Sequence, residues 1–159
     1  MKTSIWMMLL GSTLLATQAA VPTVAQDKPA DNMQIVREKL RADKKLLVAD
    51  NMKLTESEAK AFWPVYGSYQ KDMGKLADRT IKLIQDYAGN LATMTNEAAK
   101  RLLEEYMAIE SERNKLRQTY LPKFREALPE IKVARYYQIE NKIQALLNYD
   151  LAAGIPLVE

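Results

Sequence analysis

Phe62, Tyr66, Tyr69, Met73, Leu76, Leu83 and Tyr87 recur at steps of three and four residues, apart from one double interval through Thr80. A strand sends successive side chains to opposite faces, so this period fits a helix with one long apolar side. Leu54-Thr55-Glu56-Ser57-Glu58 stands just ahead of it. There Thr55 can accept from the N–H of Glu58 while the Glu58 carboxylate reaches back to the N–H of Thr55, satisfying two donors orphaned at a helix start. Pro64 removes an N–H and crowds the carbonyl of Lys60, so a bend is expected near Phe62 and Trp63. Gly89-Asn90 is expected to close the helix with left-handed geometry.

The remaining punctuation is also helical. Thr95 is placed to cap a third helix whose apolar side holds Leu102, Tyr106, Ile109, Leu116, Tyr120 and Phe124. Leu128-Pro129 stops it, and proline suits the start of a fourth helix carrying Tyr136, Ile139, Ile143 and Leu147. Gly154-Ile155-Pro156 reads as a glycine cap, with the apolar tail docking on its own helices or on a partner subunit. Upstream, Met33, Val36, Leu40 and Leu47 mark a first helix from Asn32 to Ala49, and Asp50 to Lys53 form the connection to Leu54. No stretch alternates at period two. The expected fold is all-α: four helices, the middle pair a long antiparallel hairpin with proline bends. Helices with so few neighbours leave apolar stripes uncovered, so a partner chain is expected to cover them.

Residues 1–25 have the form of a secretory signal peptide: Lys2, an apolar run from Ile5 to Ala16, then small residues suited to cleavage at Ala25-Gln26, or earlier at Ala19. The run is shorter than the roughly 20 residues a membrane helix needs, and no membrane span is expected after its removal. Residues 26–31 read as a flexible leader and 32–159 as a single helical domain. The short charged start favours a periplasmic address. With 23 basic and 20 acidic residues the chain is nearly balanced, which argues against nucleic acid as a partner. It has neither Cys nor His. That excludes thiol nucleophiles, Ser-His pairs, ordinary structural zinc sites and imidazole switches, so neither an enzyme nor a cofactor is expected.

The layout of a signal peptide, a basic first helix, Leu54-Thr55-x-x-Glu58 opening a long second helix, a capped third helix and Leu128-Pro129-x-x-Lys132 opening a fourth resembles the Spy/CpxP family of bacterial periplasmic proteins, marked by a repeated Leu-Thr-x-x-Gln. The likeness covers most of the mature chain in layout and a few residues in identity. It implies a bent helical hairpin, two of which pair into a thin, cradle-like homodimer that shelters unfolded envelope proteins without ATP. It also implies a second possibility, an accessory that binds the periplasmic domain of an envelope-stress sensor kinase. Glu58 stands where Gln is usual, and Pro129 and Lys132 replace Thr and Gln in the second motif. The zinc sites of the family's metal-tolerance branch contain His and do not carry over.

Arg37, Arg41, Lys44 and Lys45 fall on one helical side, either a solvated face or an attractor for acidic clients and anionic headgroups. Trp63, Tyr66, Tyr69 and Met73 are read as core or interface first and as a client-binding concavity second. Arg135, Gln138, Glu140 and Asn141 form a polar group on helix four. It is read as a register-fixing network or as plain surface, because its spacing supports no catalytic carboxylate pair.

Overall fold

The computed structural model describes residues 42–158. They form α1 (42–52), α2 (Glu56–Asn90), α3 (Asn96–Ala127) and α4 (Glu130–Gly154), with a single 3-10 turn, Leu91–Thr93, between α2 and α3. No strand occurs among the described residues. The fold is all-α, as the periodicity predicts. Thr55 caps α2 in the reciprocal arrangement expected, accepting from Glu58 N while Glu58 Oε2 accepts from Thr55 N at 2.7 Å. Thr95 caps α3 by accepting from Ala98 N.

α2 and α3 are antiparallel. Phe62 meets Phe124, Tyr69 meets Tyr120, and Arg79 reaches Glu105 and Glu112, so the partner number falls as the α2 number rises. α4 turns back along α2: Phe62 touches Tyr136, Gln70 bonds Glu140, and the Tyr87 hydroxyl donates to the Pro156 carbonyl. α1 lies against α2 and α4 at the end where α2 begins, which we call the basal end. There Val48 and Met52 join Phe62, Tyr66, Tyr69, Tyr120, Phe124, Leu128, Val133 and Tyr136 in one buried cluster. Trp63 and Met73 pack against that cluster, so the four residues Trp63, Tyr66, Tyr69 and Met73 belong to the core.

Several boundaries differ from expectation. α1 continues past Ala49 to residue 52, so the connection shrinks to three residues, with Lys53 in the left-handed region at φ 46°. Its inward face is Lys44, Val48 and Met52, one rank away from Leu47, which stays 45% exposed. Met33, Val36 and Leu40 lie outside the described residues. Neither Gly89 nor Gly154 adopts positive φ. α2 instead tightens into the 3-10 turn, and α4 includes Gly154 and closes with Ile155 N donating to Leu151 O. α2 runs through Pro64 as one helix, as expected, and the Ser68 hydroxyl donates to the Pro64 carbonyl at 3.1 Å. α3 likewise contains Pro122, which the sequence reading passes over.

Candidate functional site

Three features stand out, all built on α4. The first is the basal clamp. Lys132, in the first turn of α4, donates its ammonium to Glu58 Oε2 and to the Lys53 carbonyl, and Arg135 Nε donates to the Asn51 carbonyl at 2.7 Å. The end of α1, the connection and the cap of α2 are thus all held by one face of α4. Lys132 and the Thr55 N–H depress the Glu58 carboxyl below its ordinary range. Leu128 is buried beside this corner, and Pro129 supplies the carbonyl that Lys132 N and Val133 N use. All the Leu-Thr-like motif residues, Leu54, Thr55, Glu58, Leu128, Pro129 and Lys132, therefore sit in or beside one structural joint.

The second is a buried polar triangle. Glu140 is only 6% exposed, and its two carboxylate oxygens accept from Lys44 Nζ at 2.8 Å and Gln70 Nε2 at 3.0 Å. Lys44 also donates to Gln70 Oε1 at 3.0 Å, and Gln70 Nε2 lies 3.3 Å from the Tyr136 hydroxyl. Burial, helped by the Glu140 charge, pushes the Tyr136 phenol well above its ordinary value, so the ring stays neutral. A buried charge is tolerated only when paired and hydrogen-bonded, and each member here bonds both others. The triangle fixes α1, α2 and α4 in register, one of the two roles read for the helix-four polar group. Gln138 and Asn141 remain exposed.

This pairing divides the predicted basic stripe. Lys44 points inward and is neutralised by Glu140. Lys45 points outward, its ammonium 5.2 Å from the centroid of the Trp63 ring. Arg37 and Arg41 lie outside the described residues.

The third feature is exposed apolar surface. Between α1 and α4 runs a shallow groove of about 490 Å³ whose lining includes Leu47, Ile143 and Leu146, with Arg135 and Lys142 at its edge. Leu146 is 68% exposed. At the opposite, distal end, past the contact of Arg113 with Gln144, α2, α3 and α4 leave a cleft of about 550 Å³ between them. Leu83, Ile84 and Tyr87 form its floor, with Leu102 and Leu103 on one wall and Leu151 and Ile155 on the other. The tail docks on its own helices here through Tyr87 and Pro156. Sequence reasoning missed both depressions, since each needs side chains from helices whose angles no local pattern records.

Among the described residues no group of acidic side chains could hold a metal ion, and no helix is long and apolar enough to cross a membrane. Compared with protein families, curated proteins and solved structures, the chain has no match.

Proposed function

We propose that the chain is an exported, ATP-independent holdase of the Spy/CpxP type, acting in the periplasm as a homodimer on non-native envelope proteins. The observation that carries this reading is the groove between α1 and α4, where exposed Leu47 and Leu146 sit beside Lys142 and Arg135. Shallow apolar contact rimmed by cations suits reversible capture: charge speeds encounter, and a few unpacked side chains hold the client weakly enough to release it. Lys45 adds an outward cation on the same helix as Leu47.

Kinship with the family gains support from the basal clamp. Glu58 and Lys132 are the two positions where this chain departs from the family's Gln, and they face each other as an ion pair.

Aggregation of two unrelated unfolded clients, followed by light scattering, tests the proposal. The mature chain should suppress both, and Leu47→Ser with Leu146→Ser should weaken suppression without lowering the melting temperature, because both side chains are exposed. Protection of neither client would overturn the holdase reading. Saturable binding of a sensor-kinase periplasmic domain in its place would establish the accessory role.

A further inference from the structure

The distal cleft differs from the groove in one respect that bears on its occupant: it has a polar end. Arg113 contacts Gln144 of α4 at the inner end of the cleft, and its side chain is only 12% exposed. Its Nε donates to Glu110 Oε1 at 3.2 Å and its Nη1 to Gln144 Oε1 at 3.4 Å. Both are longer than the 2.7–2.9 Å usual for charge-assisted bonds. Among the described residues no bond is made by Nη2. A guanidinium cannot shed its proton, so this cation is enclosed and incompletely satisfied. Glu110 is the one carboxylate in the lining of the cleft, and it is 48% exposed. Of the two charges at the inner end, the cation is therefore the more enclosed one.

From Arg113 the lining turns apolar and stays so. Ala99 lies fourteen residues back along α3, about 21 Å at the helical rise, and Leu103 and Leu102 fall between. The opposite wall ends in Ile155 and Val158, which the Tyr87–Pro156 bond holds in place. The volume lies within the range of small-molecule sites, and the pattern of apolar walls with a few convergent polar groups is theirs.

We propose that the distal cleft binds a single-chain carboxylate amphiphile, a long-chain fatty acid, with its head on the Nη2 edge of Arg113 and its chain laid toward Leu103 and Ile155. Charge complementarity selects the head: a carboxylate matches the planar fork of a guanidinium, and the Gln144 and Asn148 side-chain amides beside it are neutral. The elongated apolar trough selects one chain. This site is separate from the α1–α4 groove, so it stands or falls independently of the holdase reading.

Titration calorimetry of the mature chain with hexadecanoate and with hexadecanol, both below their aggregation concentrations, tests it. Hexadecanoate should bind saturably at one site per chain, and the alcohol at least tenfold more weakly, the scale of losing one hydrogen bond to a charged group. Arg113→Gln should weaken the acid about tenfold and leave the alcohol unchanged. Leu103→Asp, at a side chain already exposed, should weaken both while the helical circular dichroism stays intact. Equal affinity for acid and alcohol would overturn the proposal, as would an acid affinity indifferent to Arg113→Gln. So would absence of acid binding, including the case where an unfolded peptide binds instead and is lost in Leu103→Asp.

Discussion

The basal and distal halves of the same helical bundle are built on opposite plans. At the base, Phe62, Phe124 and Tyr136 lie with ring centroids 4.6–5.8 Å apart, α1 closes the side, and a buried charge is fully paired. At the distal end Arg79 grips Glu105 and Glu112 across the α2–α3 surface, but α4 leaves Tyr149 and Leu151 exposed. The difference follows from α1. Among the described residues, the three long helices share one core where Val48 and Met52 of α1 fill the remaining side. Stability therefore collects at the base, and adaptable surface is left where packing stops.

The largest expected effect tests that division directly. Phe124→Ala removes a fully buried ring from the aromatic cluster and should destabilise by about 3–5 kcal/mol in denaturant titration, the cost of a large core cavity. Leu103→Ala in the distal cleft should cost about 0.5 kcal/mol or less, since its side chain is already in water. Similar losses at the two sites would abolish the contrast.

Glu140→Ala probes the polar part of the base. It strands the Lys44 ammonium and the Gln70 amide, each deprived of its carboxylate partner. We expect a loss of about 2 kcal/mol, held below the cost of a fully buried broken pair because Lys44 keeps some contact with water. Arg79→Ala at the distal end should cost clearly less than Glu140→Ala, and that loss should shrink in high salt. A Glu140 variant as tolerant as the Arg79 one would show that the triangle does not hold α1.

How much of this the sequence disclosed depends on range. The α2 stripe, the Thr55 and Thr95 caps and the stop at Leu128-Pro129 are local, and each is found where its pattern puts it. Of the expected α1 stripe, Leu47 is exposed, because its partners on α2 and α4 bury Val48 and Met52 instead. A mixed stripe of this kind leaves the orientation of a helix mainly to its partners. Lys44 and Glu140 are 96 residues apart, and no spacing rule links them. A trace existed all the same: Glu140 follows Tyr136 by four and precedes Ile143 by three, so a carboxylate stands in the core rank of α4. Likewise Gln70 sits between Tyr66 and Met73. Polar residues in apolar ranks that match across helices are the signal for a buried network.

The two N-caps extend the comparison at a smaller scale. Thr55→Ala should cost about 1 kcal/mol, because the reciprocal bond with Glu58 is lost together with the seat of the clamp. Thr95 has Ala98 three residues on, so its cap is a single bond, and Thr95→Ala should cost about 0.5 kcal/mol. Thermal or urea unfolding of the pair measures both. A larger loss at Thr95 would place the better-anchored helix start at the distal end and reverse the ranking.

The smallest effects appear as a dependence on acid. Glu58 at the base and Glu105 at the distal end both titrate below their ordinary carboxylate values, Glu58 chiefly through Lys132 and Glu105 chiefly through Arg79. A depressed folded-state value means that the unfolded chain takes up the proton first as pH falls. Each group's contribution is therefore complete above the ordinary carboxylate range and is lost as pH drops through the folded value. The two ends should differ in how salt acts on this loss. Glu58 is 18% exposed and Glu105 41%, so dissolved ions reach the Arg79 pair more readily. Melting temperature followed from pH 6 to pH 2 should fall less steeply in Glu58→Gln and in Glu105→Gln than in the wild type. Adding salt should erase the difference between Glu105→Gln and wild type while leaving most of that for Glu58→Gln. If salt erased both alike, the clamp would behave as an ordinary surface pair, and its joining of α1, α2 and α4 would rest on packing alone.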